Sequence, residues 1–199
     1  MFKDYPKTFK LKTGSVATIR PLDKNDKKKL FDFFKRLPEK DRMFLKDDVT
    51  NKKVIDNWFE NLDFKRVIPL VVEADKKIIA DGTLHTFEHG WMKHIGEIRM
   101  VVDKDYRRMS VGLHLAKELY FIAMGLRLEK MVGELVTTQK RAIKIFEGLG
   151  FKREATLRNY VKDLKGHNHN MIIMTHSVTT HWNEMENMIA DFSGDFSGS

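Results

Sequence analysis

Residues 95–136 place two strand patterns on either side of one long helix pattern, and this order constrains the fold more than any other feature. The segments 95–102 (IGEIRMVV) and 130–136 (KMVGELV) are typical of strands, and residues 110–127 show the apolar spacing of a helix. A helix that crosses between two neighbouring strands of a sheet makes those strands parallel. We therefore predict one parallel step, with a helix N-terminus pointing at the place where a ligand would bind.

The other segments add helices and antiparallel strands around this step. Helix patterns occupy residues 23–37 and 50–63, and residues 66–87 form a strand, a turn and a second strand. A further helix pattern covers residues 137–150, and two strands follow, over residues 151–163 and 169–178. This order predicts a mixed α+β fold. We assign residues 1–178 to one domain and residues 179–199 to a C-terminal helix with a low-complexity tail. We expect the apolar stripe of this helix to pack on its own domain, and the alternative is the second subunit of a homodimer.

Composition excludes several classes of site. The 199 residues contain no cysteine, so disulfides, thiolate metal sites and cysteine nucleophiles are excluded. No apolar run is long enough for a membrane span or a secretory signal, so we expect no membrane partner and a cytoplasmic protein. The net charge of +8 suits an anionic cofactor. We expect no nucleic-acid partner, because neither a recognition helix nor an aromatic sheet platform is evident.

The stretch DYRRMSVGLHLAKEL (105–119) has the features of a phosphate-binding turn. Arg107 and Arg108 precede the helix, whose first N–H groups have no partner within the helix, and Gly112 would let a ligand approach the backbone. The alternative is an ordinary helix start capped by Ser110, with solvated arginines, because a short glycine motif alone is weak evidence.

A second stretch decides between these interpretations. Val102, four residues and then Arg107–Arg108–Met109–Ser110–Val111–Gly112 resemble the acetyl-CoA motif of the GCN5-related N-acetyltransferase (GNAT) superfamily, Arg/Gln-x-x-Gly-x-Gly/Ala. Gln139, Ala142, Phe146, Gly150 and Phe151 resemble the family's next motif, Asn-x-x-Ala-x-x-x-Tyr-x-x-x-Gly-Phe. The two motifs occur in the family's order, and the resemblance extends over about the first 178 residues.

The resemblance implies a fold, an activity and a binding site. The fold would be a mixed, mostly antiparallel sheet with a central splayed pair of parallel strands, flanked by helices. The activity would be direct transfer of an acetyl group from acetyl-CoA to a primary amine of a small molecule or a protein. The residues that would bind acetyl-CoA lie on the first strand, the turn and the second motif: Met100, Val101, Val102, Arg107, Arg108, Met109, Ser110, Val111, Gly112, Gln139, Ala142 and Phe146.

Three residues depart from the family pattern. Ser110 replaces the first motif glycine, Gln139 replaces asparagine, and Phe146 replaces the tyrosine proposed to protonate the leaving thiolate. Phenylalanine has no proton to give, so water or another hydroxyl such as that of Tyr160 would have to serve. A non-catalytic acyl-CoA-binding module is therefore the alternative function.

Glu97 is the candidate catalytic base. Family members that use a strand glutamate have it one residue further from the turn, and a one-residue shift reverses the face of a strand unless a β-bulge compensates. The alternative is that Glu97 forms surface ion pairs with Lys93, Arg99 or a neighbouring strand. His167 and His169 are expected in a polar hairpin loop rather than in a metal site, since two histidines are too few ligands.

Overall fold

A computed structural model describes residues 2–43 and 45–178. Its eight strands are β1 (Lys7–Lys10), β2 (Val16–Pro21), β3 (Val67–Ala74), β4 (Lys77–Thr86), β5 (Ile95–Val102), β6 (Lys130–Val136), β7 (Lys152–Lys162) and β8 (Asn168–Ser177). Its helices are α1 (Lys27–Arg36), α2 (Glu39–Arg42), α3 (Lys52–Glu60), α4 (Val111–Gly125) and α5 (Lys140–Gly148). The predicted C-terminal helix and its place in a homodimer concern residues outside this described part.

The strands form one sheet in the order β1-β2-β3-β4-β5-β6-β8-β7. Every neighbouring pair is antiparallel except β5 and β6, which α4 connects. This confirms the predicted α+β architecture and its single parallel step. The bounds of β5 and β6 coincide with the predicted segments, because Asp103 and Thr137 begin polar turns at the strand ends.

Helices cover both faces of the sheet and bury two apolar clusters. On one face, Leu115 and Leu119 of α4 are fully buried and lie close to Gly82 of β4, where a Cβ atom would be 2.9 Å from Leu115. On the other face, Phe33 of α1 and Ile55 of α3 are buried against the sheet. We call the first side the α4 face and the second the α1 face.

Local signals explain where the early helices begin. The Asp23 carboxylate accepts a hydrogen bond from the Asn25 backbone N–H and caps the 3-10 turn Lys24–Asp26 that leads into α1. Asn51 caps α3 by accepting from the Lys53 N–H at 3.0 Å. Pro38 follows α1 and precedes the short helix α2, which the sequence patterns did not indicate.

Candidate active site

The parallel strands separate after three residue pairs. Ile95, Gly96 and Glu97 of β5 pair with Lys130, Met131 and Val132 of β6. Among the described strands, residues 98–102 beyond Glu97 pair only with β4, and residues 133–136 of β6 pair only with β8. The edge of β5 that faces β6 is therefore open over residues 98–102, and an extended ligand can add to it as a strand would.

The three predicted strand residues lie along this open edge. Met100 and Val102 are half-buried and pack towards the α4 face, and Val101 packs towards the α1 face. The turn after β5 begins with Asp103, whose carboxylate accepts a hydrogen bond from the Asp105 N–H at 3.2 Å. The hydrophobic strand β5 thus ends in a polar turn beside the opening between β5 and β6.

The turn presents a run of unused backbone donors. Arg108 and Ser110 have φ angles of 65° and 61°, in the left-handed region. Within the described residues, the backbone N–H groups of 108–113 have no acceptor, since the first helical bond at this end runs from His114 to the Ser110 carbonyl. Successive N–H groups in such a conformation form a concave anion site, to which the α4 dipole adds partial positive charge. Ser110 thus keeps a glycine-like backbone, at a cost of about 1 kcal/mol.

The two arginines of the turn have different surroundings. Arg107 donates from Nε and Nη2 to the Val102 carbonyl, both at 3.2 Å, and its Nη2 lies 2.8 Å from an Asp41 carboxylate oxygen. Arg107 therefore ties the turn to β5 and to α2. Arg108 is exposed and forms no ion pair with the described residues, so its charge is available to a ligand.

Gly112 leaves space beside these donors. A Cβ atom at Gly112 would lie 3.6 Å from Val102 and 3.8 Å from Ile145, which are ordinary contacts. Packing within the protein does not require glycine here. Met109 and Val111 on either side of Ser110 pack into the core of the α4 face, which anchors the turn.

Residues of the second motif lie at the start and middle of α5. The side-chain oxygen of Gln139 accepts a hydrogen bond from the Val136 N–H at 2.7 Å, so it closes the end of β6. Ala142 is half-buried against the core. The buried Phe146 ring covers Gly133, the first β6 residue past the paired region, where a Cβ atom would lie only 2.2 Å from the ring. This places a hydrocarbon ring beside the point of strand separation. Tyr160 is 64% exposed on the edge strand β7.

Glu97 projects on the α1 face at the last paired position. Its Oε1 accepts hydrogen bonds at 2.7 Å from both Arg99 Nε and Lys46 Nζ, and its Oε2 accepts one at 2.9 Å from Arg99 Nη2. Partial burial favours the protonated acid, but these hydrogen bonds and charges outweigh it and lower the pKa of Glu97 to about 2. The β4–β5 register runs without a shift past Glu97, so no bulge changes its face.

Neighbouring polar groups on the α1 face were not predicted from the sequence. Lys46, between α2 and α3, also lies 2.8 Å from Glu134 of β6. His85 of β4 pairs with Glu97 in the register, and burial together with the charge of Arg99 lowers its pKa to about 4. Asp81 lies on the same face of β4, four positions before His85, and burial raises its pKa to about 7. The alternation of DGTLH (81–85) with a buried Leu84 was the available signal for this polar face.

A family model described as the Acetyltransferase (GNAT) family matches residues 29–151, well over half of the chain. The chain belongs to the GNAT family. Both of the motifs discussed above lie within the matched range or at its end. The sequence-based assignment is therefore confirmed at the level of the family.

Curated GNAT relatives match over a limited length. N-alpha-acetyltransferase 30 of Xenopus laevis is 37% identical over 73 residues, which are 36% of this chain and 27% of the relative. The Homo sapiens protein of the same name is 36% identical over 73 residues, 20% of its length. The chain thus matches about a quarter or less of these relatives.

Solved GNAT structures share the fold across nearly the whole described domain. The GNAT domain of S. lividans PAT superposes with a TM-score of 0.72 at 15% identity, covering 88% of this chain and 98% of that domain. The yncA protein of Salmonella typhimurium, solved with acetyl-CoA, gives a TM-score of 0.70 at 16% identity, covering 83% and 96%. At such identities the likeness concerns the fold alone.

The residues of this GNAT domain fit acetyl-CoA. The open edge of β5, the unused donors of 108–113 and the space over Gly112 are three features that packing within the protein does not explain. The open edge suits an extended amide chain, and the unused donors suit a pyrophosphate. The space over Gly112 lets that pyrophosphate approach the backbone closely.

Neither a metal site nor a membrane-spanning helix is found among the described residues. No group of three or more His, Asp or Glu side chains in the described part of the chain is arranged to hold a metal ion. His167, in the loop between β7 and β8, and His169, on β8, instead contact the Asp163 carboxylate at 3.2 and 3.0 Å. None of the described helices has both the length and the apolarity needed to cross a membrane.

Proposed function

We propose that the chain is an acetyl-CoA-dependent N-acetyltransferase that transfers the acetyl group directly to a primary amine. The observation that carries this proposal is the separation of β5 and β6 directly after Glu97, with the unused N–H groups of 108–113 at the far end of the opening. An elongated, anionic acyl donor matches an apolar edge that ends in an anion site.

Three segments of the proposed site would bind different parts of acetyl-CoA. Residues 100–102 would pair with the extended arm of acetyl-CoA along the open edge of β5. Residues 108–112 would hold its pyrophosphate, with Arg108 adding charge and Arg107 fixing the turn through Val102 and Asp41. Gln139, Ala142 and Phe146 would form the opposite wall. Bound acetyl-CoA supplies an activated thioester, so no protein nucleophile is required.

Glu97 is the proposed proton acceptor for the amine. A carboxylate at the last paired position can orient an ammonium group on the α1 face and take its proton directly or through water. With Arg99 and Lys46 in contact, its pKa of about 2 makes it a weak base. Departure of Lys46 removes one of the two cations and leaves Glu97 more basic.

The acceptor is proposed to be a cationic primary amine, either a small molecule or a protein amino group. The name of the curated relatives, N-alpha-acetyltransferase 30, favours a protein N-terminus within this class. We propose no nucleic-acid or membrane partner and a cytoplasmic location.

A non-catalytic acyl-CoA-binding module is the second candidate, because Phe146 carries no transferable proton and Glu97 is held in ion pairs. Release of free thiol from acetyl-CoA, measured against small amines and peptides with free N-termini, separates the two functions. Amine-dependent thiol release supports the transferase. Binding of acetyl-CoA without any thiol release leaves the binding module, and the absence of binding contradicts both.

A further inference from the structure

The Lys46 ammonium group bridges the two separating strands. Its Nζ lies 2.7 Å from Glu97 of β5 and 2.8 Å from Glu134 of β6, on the α1 face. These strands are the walls of the opening that the proposed function assigns to acetyl-CoA. A primary amine of the chain therefore occupies the position that an acceptor amine would need.

Stability alone gives little reason for this arrangement. The Lys46 side chain is 45% exposed, and exposed ion pairs contribute little to folding. Lys29 provides a comparison, since its side chain is 44% exposed and lies 2.7 Å from Glu73. Lys29 and Glu73 are on α1 and β3, remote from the parallel strands. The two lysines thus share exposure and pairing but differ in their distance from the opening.

We infer that Lys46 is an internal acceptor and that the protein acetylates its own Lys46. This inference rests on the proposed function, because it uses the same acyl donor. Lys46 first loses one proton from its ammonium group to solvent. The amine lone pair then forms the C–N bond to the acetyl carbon, the C–S bond breaks, and the thiolate leaves. The second amine proton passes through Glu97 or water to the thiolate, so the products are acetyl-lysine, free CoA thiol and one proton.

Acetylation would change the site that produced it. Acetyl-lysine has no charge, so both the contact with Glu97 and the contact with Glu134 lose their ionic character. Glu97 would keep only Arg99 as a cationic partner, and its pKa would rise. Lys46 therefore occupies the acceptor position and keeps the pKa of Glu97 low until Lys46 is acetylated or a substrate amine displaces it.

The test incubates the full-length protein with acetyl-CoA and quantifies acetylation of Lys46 and Lys29 by peptide mass spectrometry, using a protease that does not cleave at lysine. We expect Lys46 to react at least tenfold faster than Lys29, at a rate per molecule that does not depend on protein concentration. Lys46→Arg should abolish the fast modification, and Lys29→Arg should leave it unchanged.

A thermal-shift assay with acetyl-CoA distinguishes failure of this inference from failure of the proposed function. If acetyl-CoA raises the Tm but Lys46 reacts no faster than Lys29, or only in proportion to protein concentration, the inference is overturned and the proposed function stands. If acetyl-CoA neither raises the Tm nor modifies Lys46, both are overturned.

A measurement without acetyl-CoA tests whether Lys46 lowers the pKa of Glu97. In an NMR titration, Lys46→Gln should raise the pKa of the Glu97 carboxyl, and Lys46→Arg should leave it near the wild-type value. An unchanged Glu97 titration in Lys46→Gln would show that Lys46 does not restrain the base.

Discussion

Glu97 of β5 and Val132 of β6 form the last register pair of the two parallel strands. This pair fixes two properties of the site. The backbone edge of β5 is free beyond it, and the Glu97 side chain projects on the α1 face beside the point of separation. The proposed donor site and the proposed base therefore meet at one position in the sheet.

Gly112→Ala tests whether the space over the turn belongs to a ligand. The added methyl group would make only ordinary contacts with Val102 and Ile145, so the free energy of unfolding should change by at most about 1 kcal/mol. Affinity for acetyl-CoA should fall at least tenfold, because the methyl group occupies the path to the backbone donors. Calorimetry measures the affinity, and urea unfolding measures the stability.

Gly125→Ala is the matched control, since Gly125 ends the same helix and a Cβ atom there has no neighbour within 4 Å. Equal acetyl-CoA affinities for Gly112→Ala and Gly125→Ala would contradict the assignment of this turn.

Phe146→Tyr tests the missing proton donor. The ring lies over Gly133 beside the strand separation, so a phenolic hydroxyl would be introduced close to the proposed thioester. If thiolate protonation limits turnover, kcat should rise about tenfold or more. Phe151→Tyr is the control, because Phe151 is also buried but lies behind Phe146, at 4.8 Å between ring centroids. An unchanged kcat in Phe146→Tyr would show that this proton transfer is not limiting.

Glu97→Gln tests the proposed base. The amide keeps the size of the side chain but cannot accept a proton at neutral pH, so kcat/KM should fall by about 100-fold. Glu134→Gln keeps the Lys46–Glu97 contact and should change kcat/KM by less than about threefold. Thiol release at saturating acetyl-CoA gives both values, and full activity in Glu97→Gln would remove the base assignment.

Asp81→Asn tests the burial of a carboxyl group on the α1 face. The folded protein holds the proton of Asp81 up to a pH of about 7, whereas the unfolded chain releases it near its ordinary value of 3.8. Because the folded state binds more protons in this window, Asp81 makes stability fall as pH rises from about 4 to about 7.

The asparagine variant lacks this loss of stability. At pH 8 its free energy of unfolding should exceed that of the wild type by about 2 to 4 kcal/mol, with no such gain at pH 4. Urea unfolding at the two pH values provides the measurement. Asp75→Asn, in the exposed turn between β3 and β4, controls for the loss of one negative charge. A gain of the same size at both pH values would show that Asp81 titrates normally.

The sequence predicted β5, α4 and β6 well because each has a strong local pattern and a clear end. Asp103 starts the turn after β5, and Gly112 lies one residue inside α4 as expected. The backbone of Ser110 was not predicted. One interpretation of the sequence made Ser110 the cap of α4, but its side chain forms no capping hydrogen bond. Its backbone is left-handed instead, and the packed neighbours Met109 and Val111 hold it in place.

The surroundings of Glu97 could be predicted only in part. An ion pair with Arg99 follows from i, i+2 spacing on one strand face, and the structure contains it. Lys46 is 51 residues away in the chain, within a loop that has no periodic pattern. Its contacts with Glu97 and Glu134 depend on how α1 and α3 pack against the sheet, which no local signal reports.

A crystal structure of the protein with CoA tests the central claim most directly. The account predicts the pyrophosphate on the N–H groups of residues 108–113 and the extended arm between β5 and β6, ending beside Glu97 and Phe146. CoA bound elsewhere, or β5 and β6 closed by direct pairing beyond Glu97 and Val132, would contradict it.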